Sequence, residues 1–151
     1  MSTIDSGDRP RIVVGIDGSD ESKQALRWAR SLAPALGAQI EAIAVWHLPA
    51  GYGTVVVPEG WDPEQDMREV LVGTVREVVG AQLPEGLHLI VREGNAAKQL
   101  LDASTGAAMV VVGSRGHGGF TGLLLGSVSS SIAHHAGCPV LVVHGDVQPP
   151  A

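Results

Sequence analysis

A chain of 151 residues, 44% hydrophobic and 17% charged, is long enough for one domain with a substantial core and too apolar for a disordered segment. A net charge of −6, only two lysines (Lys23 and Lys98) and no basic run argue against a general nucleic-acid binder, which needs a clustered cationic face to displace counterions. The single cysteine, Cys138, excludes an internal disulfide and a cysteine zinc cluster, and no apolar run approaches the ~20 residues that cross a bilayer.

Residues 1–9 are polar, carry acids and lack an apolar stretch, so they read as a flexible tail rather than a secretory signal, and a cytoplasmic protein is expected. Residues 11–16 form a buried strand that leaves through Gly15-Ile16-Asp17-Gly18-Ser19. A helix over about 20–36 places Leu26, Ala29, Ala33 and Leu36 on one face, with Gly37 as its stop. Residues 39–46 make the second strand. The connection over 47–61 is long for a compact domain; it holds Tyr52 and is bracketed by Trp46 and Trp61. Asp62-Pro63-Glu64-Gln65 then opens a helix with a capping acid, Pro at the first helical position and Gln three residues after the cap. Met67, Leu71, Val75 and Val78 supply its buried stripe.

The third strand spans 87–91, and Asn95 caps a shorter helix that carries Leu100 and Leu101 and stops at Gly106. Residues 107–112 are apolar throughout, as befits a strand covered on both faces. A glycine-rich loop leads into a helix over about 126–136, with Val128, Ile132 and Ala136 at helical spacing. The fifth strand covers 139–143, with Cys138 at its entry as a buried, inert thiol. Residues 146–151 read as a second flexible tail.

Strand and helix alternate from end to end, which predicts an α/β domain: an open five-stranded parallel sheet, Rossmann-like, with helices on both faces. Glycine stands at the exits of strands one and four. Open sheets of this kind bind ligands outside the carboxyl ends of the strands, where the winding direction reverses. Placing strands one and four side by side gives the order 3-2-1-4-5, an inference from motif position because periodicity cannot order strands.

Six of the fourteen residues from 113 to 126 are glycine, and the loop runs from a strand into a helix N-terminus. Glycines let backbone N–H groups approach an anion, and the helix end adds about half a positive charge. Between Asp102 and Asp146 the only Asp, Glu, Lys or Arg is Arg115, inside the loop. Ser127, Ser129, Ser130 and Ser131 add donors at the helix start, and His117 within the loop is a further candidate donor. The bland alternative is a surface connection of no special use. Asp17 likewise reads equally well as a ligand-facing acid or as part of an Asp-Gly turn.

Other nucleotide motifs do not fit. No lysine occupies the loop, so G-x-x-x-x-G-K-[ST] is absent, and the first strand's exit lacks G-x-G-x-x-G. A phosphate-accepting receiver would need a second acid after strand one and a late lysine. The six histidines have no metal-ligand spacing, and His134-His135 suits the C-terminal end of a helix dipole.

Taken together, Val13-Val14-Gly15-Ile16-Asp17-Gly18-Ser19, the spacing Gly113-x2-Gly116-x9-Gly126-Ser127, and Cys138-Pro139-Val140-Leu141-Val142-Val143 resemble the universal stress protein family over about residues 10–144. Residues 10–145 then form a single universal stress protein-like nucleotide-binding domain, and the G-x2-G-x9-G-[ST] spacing is similar to that of the family's ATP-binding branch. The resemblance implies ATP, with Mg²⁺ carried by its phosphates, in the crevice between strands one and four. It implies that Gly15 and Asp17 border the adenosine and ribose, and that Val45 and Val112 line the adenine pocket. Gly113, Arg115, Gly116, Gly126, Ser127, Val128 and Ser129 would hold ribose and phosphates, mostly through backbone N–H groups.

The expected function is ATP binding by a regulatory protein of the stress response that reports to a protein partner, without efficient turnover and with no catalytic residues. Phosphoryl transfer needs a base, a metal site and positive charge on the transferring group, whereas Asp17 is the only acid expected at either strand exit and Arg115 the one firm cation. The alternative is a weak ATP-hydrolysing or adenylate-transferring enzyme of the same architecture, since residues 17–22 faintly echo an S-G-G-x-D-S loop. Strand five is apolar and uncharged, and in the inferred order it forms the sheet's edge. Such an edge predicts a homodimer through strand five, as the resemblance also implies.

Overall fold

The computed structural model describes residues 9–48, 58–115 and 126–150. Its strands are β1 (Arg11–Gly15), β2 (Gln39–Trp46), β3 (Leu87–Glu93), β4 (Met109–Gly113) and β5 (Val140–Val143). The helices are α1 (Asp20–Leu36), α2 (Pro63–Val79), α3 (Ala96–Ser104) and α4 (Ser127–His135). All strands pair in parallel, in the order β3-β2-β1-β4-β5. The chain winds outward from β1 to β3, then returns to place β4 on the other side of β1, so the reversal falls between β1 and β4.

Alternation along the strands divides the core in two. On one face Ile12, Val14, Ala42, Ala44 and Val111 pack under Ala25, Leu26 and Ala29 of α1 and Leu71 and Val75 of α2. On the other, Val13, Ile43, Val110 and Val112 pack under Leu100 of α3 and Ile132 of α4. β1 is the spine of both, with Ile12, Val13 and Val14 fully buried, which its unbroken apolar sequence requires. No described helix is long and apolar enough to cross a membrane.

Three helices start where side-chain chemistry dictates. Ser19 accepts from the Ser22 amide at 3.2 Å, Asp62 from Gln65 at 3.1 Å and Asn95 from Lys98 at 3.0 Å. Gly37 closes α1 in the left-handed region at φ 60°, the conformation that favours glycine at a helix end.

Several boundaries move from the sequence reading. β3 continues through Arg92 and Glu93, which pair with Val45 and Trp46 by backbone although their side chains are exposed. β4 begins at Met109 and includes Gly113, β5 begins at Val140, and α4 ends at His135. Leu36, expected on the buried face of α1, is 44% exposed, because it lies at the rim of the stripe in the final turn. Cys138 is half-buried and unpaired, and that burial pushes its thiol up from the ordinary value. In the 47–61 connection, residues 49–57, including Tyr52, lie outside the described residues; Trp61 donates its indole N–H to Asp66 Oδ2 at 3.1 Å.

Candidate functional site

β1 and β4 register as Ile12↔Met109, Val13↔Val110 and Val14↔Val111, so their carboxyl ends leave the sheet side by side. Gly15 ends β1 without a side chain: a Cβ there would lie 3.0 Å from Leu100 Cδ1 and 3.4 Å from Val112 Cγ1. Val45 and Val112 belong to this same face, Val45 half-buried and Val112 buried in the α3/α4 core. Gly15, Val45 and Val112 therefore share one side of three adjacent strand ends.

Beyond Gly15 the chain turns at Asp17. Its Oδ1 accepts from the Ser19 amide at 3.0 Å and from the Ser19 hydroxyl at 2.5 Å, and that hydroxyl in turn accepts from Ser22. The turn role that local sequence allowed is thus present, and it orients the cap of α1.

Ser114, immediately after β4, joins four elements, and sequence reading gave it no role. It is 3% exposed. Its amide donates to Val143 O of β5 at 2.8 Å, and its carbonyl accepts from the Gly126 amide at 2.5 Å and the Ser129 hydroxyl at 2.8 Å. Its own hydroxyl donates to Glu21 Oε2 at 2.8 Å. Through these bonds the start of α4 is tied directly to the exit of β4. Ser129 is buried with its hydroxyl directed inward, also reaching Gly126 O at 3.1 Å, so only its backbone can face a ligand. Gly126 is the N-cap of α4 and provides no side-chain cap bond, while Ser127 is exposed and Val128 half-buried. Gly126 thus offers no side chain to the first amides of α4, and a helix start of this kind suits an anion.

Glu21 overturns one expectation. Asp17 is not the only acid at the strand exits: Glu21, in the first turn of α1, reaches the root of the loop, where Oε2 also accepts from the Arg115 amide at 2.6 Å. Gly113 makes this approach possible, since a Cβ on it would lie 2.7 Å from Glu21 Cβ. The Arg115 amide is thereby engaged within the protein. A partial signal existed in the sequence, because Glu21 follows the Asp17 turn by one helical residue, but its partners lie 93 and 94 residues away.

Gly116 and His117 lie outside the described residues. The other site residues, Gly15, Asp17, Val45, Val112, Gly113, Arg115, Gly126, Ser127, Val128 and Ser129, all fall at the carboxyl end of the sheet or the adjoining start of α4. Among the described residues no three His, Cys, Asp or Glu side chains converge as a metal cage. A depression of about 320 Å³ opens between α1 and α2, lined by Asp17, Gly18, Lys23, Glu69, Val70, Gly73, Thr74 and Glu77, so Asp17 borders this depression as well as the exit of β1. It suits an anion poorly, because Lys23 is already neutralised by Glu77 at 2.8 Å and Asp20 at 3.4 Å.

Comparison with known proteins identifies the family. The universal stress protein family model matches residues 9–144. A universal stress protein of Mycolicibacterium smegmatis is 42% identical over 146 residues, which cover 91% of this chain and 49% of that protein. The chain thus spans about half the length of the curated relatives it matches. Among solved structures, a universal stress protein in complex with cAMP is 25% identical with a TM-score of 0.66, covering 90% of this chain and 97% of that one. The UspA universal stress protein of Lactobacillus plantarum, at 21% identity and a TM-score of 0.65, shares the fold over 89% of this chain and 97% of its own. By family model, sequence relatives and strand order alike, the chain belongs to the universal stress protein family.

Proposed function

We propose that this protein binds ATP in the crevice between the ends of β1 and β4 and acts as a cytoplasmic regulatory protein of the stress response, without efficient turnover. The observation that carries the reading is the uncapped start of α4, tied by the Gly126 amide and the Ser129 hydroxyl to the exit of β4. Backbone N–H groups and the helix dipole at such a start favour an anion, and Gly15 lets Leu100 and Val112 pack closely at the neighbouring strand end. The solved relative that binds cAMP supports an adenine nucleotide, and the G-x2-G-x9-G-[ST] spacing favours ATP over other members of that class.

In this reading Gly15 and Asp17 border the adenosine and ribose, Val45 and Val112 line the adenine pocket, and Gly113, Gly116, Gly126, Ser127, Val128 and Ser129 hold ribose and phosphates, mostly through backbone N–H groups. Arg115 contributes its guanidinium. Mg²⁺ would arrive on the phosphates. Residues 10–145 act as the nucleotide-binding unit. Two copies pair through β5, whose Val140, Leu141 and Val142 are only half-buried in one chain, and a protein partner reads the bound state.

The test is to denature the purified protein, identify any released nucleotide by mass spectrometry, and titrate the refolded chain with ATP by calorimetry. ATP should bind, and a folded Gly126→Val variant should lose it, because a branched side chain at the cap occupies phosphate space. Unchanged affinity in that variant would falsify the assignment of the loop. Steady-state hydrolysis at the rate of an ordinary enzyme would move the protein to the alternative, an ATP-hydrolysing or adenylate-transferring enzyme.

A further inference from the structure

Glu21 does something that no nucleotide-binding motif requires. Its carboxylate lies on the Ser114 hydroxyl and the Arg115 amide, at the root of the loop that receives phosphate in the proposed function, on which this inference rests. The contact is tightly fixed. Gly113 has no side chain where Glu21 Cβ passes, and Ser114 is held on its other sides by Val143, Gly126 and Ser129. A hydroxyl and an amide that an anionic ligand could use are thus already bonded to an anion belonging to the protein.

Its charge matters more than the donors it engages. The Ser114 carbonyl that follows this hydroxyl is bonded to the cap of α4, so the carboxylate and the uncapped amides belong to one short chain of contacts. Glu21 therefore sets a fixed negative charge at the root of the loop, bonded to the Ser114 hydroxyl and the Arg115 amide. A phosphate therefore meets favourable backbone dipoles within a field that grows less favourable with each further negative charge. Hydrogen bonds from backbone N–H groups reward the first phosphate contacts, whereas the carboxylate acts on every charge within about a Debye length.

We infer that Glu21 is a specificity-determining residue of the nucleotide site: an internal carboxylate that limits the gain in affinity from each added phosphate charge. Glu21→Gln is the informative change, because the amide oxygen can still accept from Ser114 and Arg115 while the charge is removed. Ser114→Ala is its control, disturbing the same packing and leaving the charge in place.

The experiment measures dissociation constants of cAMP, AMP and ATP by calorimetry, at low ionic strength and with chelator so that metal does not neutralise the phosphates. These ligands carry about one, two and four negative charges at neutral pH. In Glu21→Gln the affinity for ATP relative to cAMP should rise about tenfold, the scale of Coulomb's law for one unit charge acting on two or three more at partly screened range. In Ser114→Ala that ratio should stay at the wild-type value. An unchanged ratio in Glu21→Gln overturns the inference and leaves nucleotide binding standing. An equal rise in Ser114→Ala assigns the effect to packing and also overturns it. Absence of binding by all three ligands to every variant and to the wild type removes the proposed function, and this inference with it.

Discussion

Replacing Gly113 with alanine tests how tightly α1 is pressed onto the end of β4. The new Cβ would sit 2.7 Å from Glu21 Cβ and 3.1 Å from the Glu21 carbonyl carbon. Reaching ordinary contact at about 3.4 Å requires roughly 0.7 Å of movement, and one obstacle is helix backbone, which yields less readily than the end of a side chain. Overpacking of this kind costs about 1–3 kcal/mol. The same movement stretches the bonds from Ser114 and Arg115 to Glu21, at 2.8 and 2.6 Å, adding about 1 kcal/mol. A loss of about 2–4 kcal/mol should lower the melting temperature by roughly 5–12 °C for a domain of this size. Gly73→Ala is the matched comparison: Gly73 lies inside α2 with nothing within 4 Å of its Cβ position, so alanine there should stabilise by about 0.5–1 kcal/mol. Urea unfolding followed by far-ultraviolet circular dichroism gives both values at constant m. A Gly113→Ala protein within about 0.5 kcal/mol of wild type would refute the close approach of α1 to the loop, since that is below any overpacking cost.

Other expectations are equally direct. Arg115→Ala should weaken ATP about ten- to a hundredfold, the worth of one charge-assisted hydrogen bond, and weaken AMP less; equal losses for both by calorimetry would remove Arg115 from the outer phosphates. The hydrogen bond from Lys23 to Glu77 raises the lysine above its ordinary 10.5, so its contribution to stability is complete below 10.5 and fades as pH rises through the folded-state value. Denaturation midpoints followed upward from pH 10 should therefore fall more steeply in wild type than in Lys23→Gln. Val110 donates to Pro139 O and Ser114 to Val143 O, and parallel pairing then turns the Val140 and Val142 amides to the open edge. Val142→Pro should thus give a folded monomer in sedimentation where wild type gives a dimer. Val143→Asp cannot serve that purpose, because Val143 is 4% exposed and its substitution attacks the core.

The parts of the fold that were legible in the sequence are those decided by neighbours along the chain. Asp62-Pro63 and Asn95 announce helices because a cap acts within three residues, and Gly15 and Gly113 mark the two exits from which the adjacency of β1 and β4 is inferred. Arg92 and Glu93 looked like loop because strand assignment from side chains misses residues whose backbone alone is paired. Locally, Glu21 is a first-turn acid of α1, favourable to the helix dipole, and Ser114 one polar residue after a strand. Their partnership depends on how α1 packs across β4, which no local pattern encodes. The same holds for Val143, whose inward direction follows from its register with Gly113.

The bond between Glu21 and Ser114 spans 93 residues, and the one to Arg115 spans 94. Bringing such distant segments together carries a loop-closure entropy that local helix formation does not. A chain released after β3 would possess one wall of the crevice and no glycine loop. In the proposed function nucleotide binding would be a property of the completed sheet, and a bound nucleotide would stabilise the whole domain by mass action while offering nothing to a half-folded chain.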